Sequence, residues 1–168
     1  GGDLSLLSGN ASGITDSGTL TVGGNLDATT NDNAGVIELN DLAVDGTIGV
    51  VTDGLGNATI VNDENVNFAA STVGGDLDAT ATTGNISQSG SITVALTTTL
   101  ETIADDATIT LLDPSNSFTG AITVATSGTE GDVSIDGGSV TGLDIAASTV
   151  GGDLSLLSGN ASGITDSG

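Results

Sequence analysis

The first eighteen residues, GGDLSLLSGNASGITDSG, return without a change as residues 151–168. An offset of 150 residues makes the chain one full repeat followed by the opening of the next. Self-similarity at a fixed period is the mark of architectures in which each unit buries its apolar face against its neighbour. Residues 1–168 are therefore expected to form one continuous segment of such an array. The chain contains no Met, so it is expected to lie within a longer product whose targeting segment stands elsewhere.

A shorter period runs inside the long one. Thr21-Val22-Gly23-Gly24-Asn25-Leu26 returns as residues 72–77, with Asp76 in place of Asn, and again as residues 149–154. Looser copies stand around Val44, Val94 and Val124. Counted from one of these valines to the next (Val22, Val44, Val73, Val94, Val124, Val150), the steps are 22, 29, 21, 30 and 26 residues, and 22 more lead to the next repeat. Six units thus close the 150-residue repeat. Between them Leu20-Thr21-Val22, Ile92-Thr93-Val94 and Thr108-Ile109-Thr110-Leu111 alternate apolar with polar residues, which is strand periodicity. Asp-Gly, Gly-Asn, Ser-Gly and Asp-Pro steps supply the turns. No window has helical periodicity. The pattern predicts an all-β chain wound as a parallel β-solenoid with about six turns per 150 residues. Val22, Val44, Val73, Val94, Val124 and Val150 would form one interior ladder, and Leu26, Ile48, Leu77 and Leu154 a second. The longer units, near 54–67 and 105–117, would carry loops. A run of immunoglobulin-like sandwiches is the rival fold. It needs about 100 residues per domain and aromatic cores, and Phe68 and Phe118 are the only aromatic residues in the chain.

Composition narrows function by removal. There is no Lys, Arg, His, Cys, Met, Trp or Tyr, and the formal charge is −22. No imidazole, amine or thiol is available as base or nucleophile. The expectation is therefore a non-enzyme; a carboxylate-pair enzyme that cleaves polysaccharide is the minor alternative. Nucleic acid is excluded as a partner because phosphate affinity rests on Lys and Arg. Insertion in a membrane by this segment is not expected, since its apolar runs are only a few residues long.

The strings TVGGNLDA, GNISQSGSITVA, NSFTGAITV and GNASGITDSGTLTVGGNL resemble the repeats of filamentous-haemagglutinin-type bacterial surface proteins, whose passengers are long right-handed β-helices. The resemblance implies a secreted or cell-surface product with a structural, fibrous or adhesive role and no active site. The reading is a structural fibre whose partners are further repeats or copies of itself, end to end. An adhesin stalk presenting a head outside this segment is the alternative.

Acids are the remaining candidates for chemistry. Asp76 and Asp78 share one face of a strand. Asp63-Glu64 and Asp105-Asp106 fall in expected loops. All six are hard oxygen donors of the kind Ca²⁺ takes, although no calcium-binding nonapeptide or EF-hand loop is present. No cofactor is expected beyond such counterions. Asn10, Asn57, Asn85 and Asn160 head glycosylation sequons, although Asn also has its own use in turns. The outward positions three and five residues beyond each Val place no acids on adjacent turns. Six turns at ~4.8 Å would give roughly one charge per 1.5 Å of axis, comparable with duplex DNA.

Overall fold

The computed structural model describes residues 1–168. It contains twenty strands and no helix. Every strand-to-strand ladder is parallel. The strands form an eleven-stranded and a nine-stranded sheet, which face each other across a common interior. Parallel neighbours require a crossover connection, and here the crossover is a single circuit of the chain. The protein is a parallel β-solenoid.

One column counts the turns. In the nine-stranded sheet Ile14 pairs with Ile37, Ile37 with Ala58, Ala58 with Leu77, Leu77 with Thr98, Thr98 with Ile122, Ile122 with Ile145, and Ile145 with Asp166. Eight residues one above another mean about eight turns, with steps of 19 to 24 residues. The 150-residue repeat therefore spans seven turns instead of six.

The expected longer units are strand for much of their length: Ala58–Asn62 and the start of Val66–Phe68 fall in the first, and Ile109–Leu111 in the second, with short turns at 52–57 and 112–116 beside them.

The single valine ladder also divides. Val22 pairs with Val44 in the nine-stranded sheet. Val73 pairs with Val94, and Val94 with Phe118, in the eleven-stranded sheet. Val124 pairs with Leu100 back in the nine-stranded sheet. Val22, Val44, Val73, Val94 and Val124 are buried, and Val150 is half-buried against the core. The second expected ladder splits likewise: Leu26 pairs with Ile48, Leu77 lies in the other sheet, and Leu154 pairs with Val133.

The physical cause is that the Thr-Val-Gly-Gly motif encodes a corner without encoding which one. Val22-Gly23-Gly24 leads from the nine-stranded sheet into Leu26–Thr30 of the other. Val73-Gly74-Gly75 leads the opposite way, into Leu77–Ala81. Counting from motif to motif thus skips parts of turns. Glycine is required at these corners because the backbone crosses directly over the turn beneath. A Cβ on Gly46 would run into the Gly24 carbonyl, and one on Gly74 into the Gly54 carbonyl.

Inside the rod the apolar side chains merge into one cluster of 29 buried residues. Phe68 and Phe118 are its largest members. Alternation does the sorting: in Leu77–Ala81, Leu77, Ala79 and Ala81 are buried while Asp78 faces out.

Candidate functional site

Apart from Asp136, which is buried with its Oδ1 accepting the Gly138 N–H, the acids decorate the outside of the rod, and their placement depends on whether they stand at a corner or on a strand. The corner residues immediately before a strand form ladders of their own. Asp3 Oδ1 accepts the Asn25 N–H at 2.8 Å, and Asn25 Oδ1 accepts the Thr47 N–H at 2.9 Å. At a second corner Asn57 Oδ1 accepts the Asp76 N–H at 2.9 Å, and Asp76 Oδ1 accepts the N–H of Thr97 at 3.0 Å and its hydroxyl at 2.6 Å. At a third series Asn65 caps Asn85, and Asn85 caps Thr108. Asp132 caps Asp153 at 2.7 Å. In each case a side-chain oxygen satisfies a main-chain donor on the turn above, at a bend where regular ladder pairing stops. A short Asp or Asn just ahead of the first inward aliphatic residue is the signal for this device, as in Asp3-Leu4, Asn25-Leu26, Asp76-Leu77, Asn85-Ile86 and Asp132-Val133. Outward columns counted from the valines do not reveal it.

The candidate cation ligands are distributed accordingly. Asp76 is engaged at its corner, whereas Asp78 is exposed on its strand between Thr59 and Thr99. Asp63 follows the strand Ala58–Asn62, with its carbonyl accepting the Thr83 N–H and hydroxyl. Asp105 accepts the Ser127 hydroxyl at 2.9 Å, and Asp106 accepts the Glu130 N–H at 2.9 Å. Asp106 has a left-handed backbone, φ 62°. An open groove brings Glu64, Asp105 and Asp106 to one place, lined also by Asn65, Thr83 and Asn85. Asp63, Asp76 and Asp78 stand outside it. Nowhere do three carboxylates converge as a ligand set for a metal ion.

The four sequon asparagines are corner and turn residues. Asn10 and Asn160 each accept the N–H two residues on, from Ser12 and Ser162, at 2.8 Å. Asn57 and Asn85 belong to the corner ladders.

Acids do meet on adjacent turns, contrary to the outward-column expectation. Asp132 lies beneath Asp153, Asp106 beneath Glu130, and Asp16 accepts the Asp41 N–H. These contacts sit at corners, where capping a main-chain N–H offsets the proximity of like charges. On the strands the expectation holds: Thr59 separates Glu38 from Asp78, and Glu101 has Thr80 and Ala125 as neighbours.

The chain carries 22 acids, and Asp153 and Asp166 repeat Asp3 and Asp16, leaving 20 per 150-residue repeat. Over seven turns of ~4.8 Å this is about one charge per 1.7 Å of axis, the linear density of duplex DNA.

Two amides, Asn62 and Asn116, are the most deeply buried polar side chains inside. Asn62 is 0% exposed; its Oδ1 accepts the Val44 N–H, and its Nδ2 donates to the Val44 and Asn65 carbonyls. Asn116, also 0% exposed, exchanges amide hydrogen bonds with Gln88, accepts the Ile92 N–H and donates to the Asp136 carbonyl. Both replace ladder bonds that the shifting register leaves unmade. Neither opens to a cavity.

Comparison with known families adds one match. Residues 55–125 fit a family model described as "Repeats of unknown function (DUF5649)". That stretch contains the consecutive strands from Ala58–Asn62 to the beginning of Ile122–Ser127. The chain is a β-solenoid repeat protein. No curated protein and no solved structure matches it.

Proposed function

We propose that the chain is a segment of a structural, extracellular fibre without enzymatic activity, whose partners are further repeats or copies of itself stacked end to end. The observation that carries this reading is the return of the eighteen-residue segment to the same two sheets after seven turns. Strand Leu4–Ser8 and strand Leu154–Leu157 both belong to the eleven-stranded sheet, and Ile14–Thr15 and Ile164–Asp166 to the nine-stranded one. A repeat that closes within two residues of seven turns returns its strands to the same two sheets, and the result is a rod with the same faces in every repeat. Side chains limited to carboxylates, hydroxyls, amides, aliphatic groups and two phenyl rings support a mechanical role. The dense negative surface supports it too, since it keeps neighbouring rods apart. The resemblance to bacterial surface β-helix repeats supports placement outside the cell.

Electron microscopy of the purified chain at high concentration tests this reading. Unbranched filaments of uniform width, with a reflection along the axis near ~4.8 Å in aligned samples, are the expected result. A chain that stays as single short particles at every concentration and salt would overturn it.

A further inference from the structure

Among the 22 acids Asp136 alone is buried, at 8% exposure. Alternation along Val133–Asp136 sends Val133 and Ile135 inward and would leave Asp136 facing solvent with Ser134. Three turns close over it instead. Leu157 of the turn above pairs directly with Asp136, and Pro114 of the turn below stands beside it. With Gly138, Ser139 and Gly159 these residues line a cavity of about 200 Å³.

A buried carboxylate is costly unless a positive charge or hydrogen bonds compensate it. Asp136 Oδ1 is compensated by the Gly138 N–H at 2.8 Å, which is the only hydrogen bond of the side chain. Oδ2 is left unpaired beside the cavity, and the chain has no Lys, Arg or His to offer it.

Two main-chain oxygens of the turn below are in the same condition. Neither the Pro114 carbonyl nor the Asn116 carbonyl accepts a hydrogen bond. Both crowd Gly138: a Cβ there would strike the Asn116 oxygen and stand 3.0 Å from the Pro114 oxygen. Gly138 has φ 70°, which glycine takes without strain, and this bend presents its N–H to the Asp136 carboxylate. Asn116 is held in place because its amide is bonded to Gln88, the Ile92 N–H and the Asp136 carbonyl. One carboxylate oxygen and two carbonyl oxygens without donors thus meet around a single glycine.

We propose that this cavity is a calcium site, with the Asp136 carboxylate and the carbonyls of Pro114 and Asn116 as protein ligands and water completing the shell. Ca²⁺ takes about six to eight oxygens, carboxylate, carbonyl and water alike, in flexible geometry. Mg²⁺ is smaller, demands a near-ideal octahedron and gives up its waters reluctantly, so fixed carbonyls of this kind favour calcium over it. A liquid water occupies about 30 Å³, so the cavity has room for the ion and several waters. The bound ion supplies the positive charge that the chain lacks and ties the turn of Pro114 to the turn of Asp136. The site differs in kind from the exposed acid pairs, because it rests on one buried charge and not on a crowd of surface ones.

The test compares melting temperatures of the full chain and of Asp136→Asn in about 0.15 M NaCl with either CaCl₂ or MgCl₂ at about 1 mM. Ions of equal charge act alike on a diffuse counterion layer, so a difference between them reports a site. The unaltered chain is expected to melt about 3–5 °C higher in calcium than in magnesium, the shift for a ligand about tenfold above its dissociation constant. Asp136→Asn retains an oxygen for the Gly138 N–H and is expected to lose that difference. Equal melting of the unaltered chain in the two salts, or a calcium-specific rise that survives in Asp136→Asn, would overturn the site. Equilibrium dialysis of radioactive calcium against the unaltered chain in excess MgCl₂ gives a second readout that needs no variant. One retained ion per chain is the expected result, and no retained calcium would overturn the proposal.

Discussion

Thr98 is 1% exposed on the inward column between Leu77 and Ile122, and its hydroxyl has no hydrogen-bond partner. A buried unsatisfied hydroxyl costs about 1–3 kcal/mol. Thr98→Val keeps the shape and removes the penalty, so it should stabilise the chain by about 1 kcal/mol, a rise of roughly 2–4 °C in melting temperature for a domain of this size. A thermal melt checks it, and a lower value would contradict the packing assigned to this column. Asn62 and Asn116 are the opposite case, since their amides are used by several partners each. At this scale the sequence was only half legible. Alternation correctly sends Val22, Val44, Val73, Val94 and Val124 inward. It cannot reveal that Asn62, in the turn-like run Asn62-Asp63-Glu64-Asn65, fills an interior position, because that depends on which strand of the turn below has run out.

The corner is the element that organises the rod. Asp76 is held by the Thr97 N–H and hydroxyl, and the equivalent places on other turns are filled by Asn25, Asn57 and Asn85. An uncharged amide oxygen therefore performs the same task. Asp76→Asn should leave stability unchanged, whereas Asp76→Ala should lower it by about 1–2 kcal/mol through loss of the acceptor. Urea unfolding of the two variants measures the difference; equal losses in both would show that the charge, and not the oxygen, matters. The corner motif also explains why spacing from motif to motif gives six units where the stacking gives seven turns. Thr-Val-Gly-Gly with Asn or Asp and Leu describes an inward valine, a close backbone crossing, a cap and an inward leucine. Those demands are the same at either junction between the sheets, so local sequence specifies the bend and the stacking specifies where it lies.

At the scale of the whole molecule two periods meet. The column from Ile14 to Asp166 advances seven turns over 152 residues, while the sequence repeats after 150. The second copy of the eighteen-residue segment is consequently set two residues along its strands from the first. An even displacement preserves which side chains face inward, so the array keeps its core while the register drifts slightly with each repeat. The existence of the solenoid was legible from alternation, turn residues and the exact recurrence. The number of turns was not, because steps of 19 to 24 residues have no mark in the sequence that separates a whole circuit from a part of one.

The most direct measurement of this winding is the distance between spin labels on Ser5→Cys and Ser155→Cys, equivalent exposed residues at the two ends of the repeat. Seven turns at ~4.8 Å predict a narrow distribution near about 34 Å. A distance near about 29 Å would restore six turns, and a broad distribution or one centred under about 25 Å would contradict the rod itself.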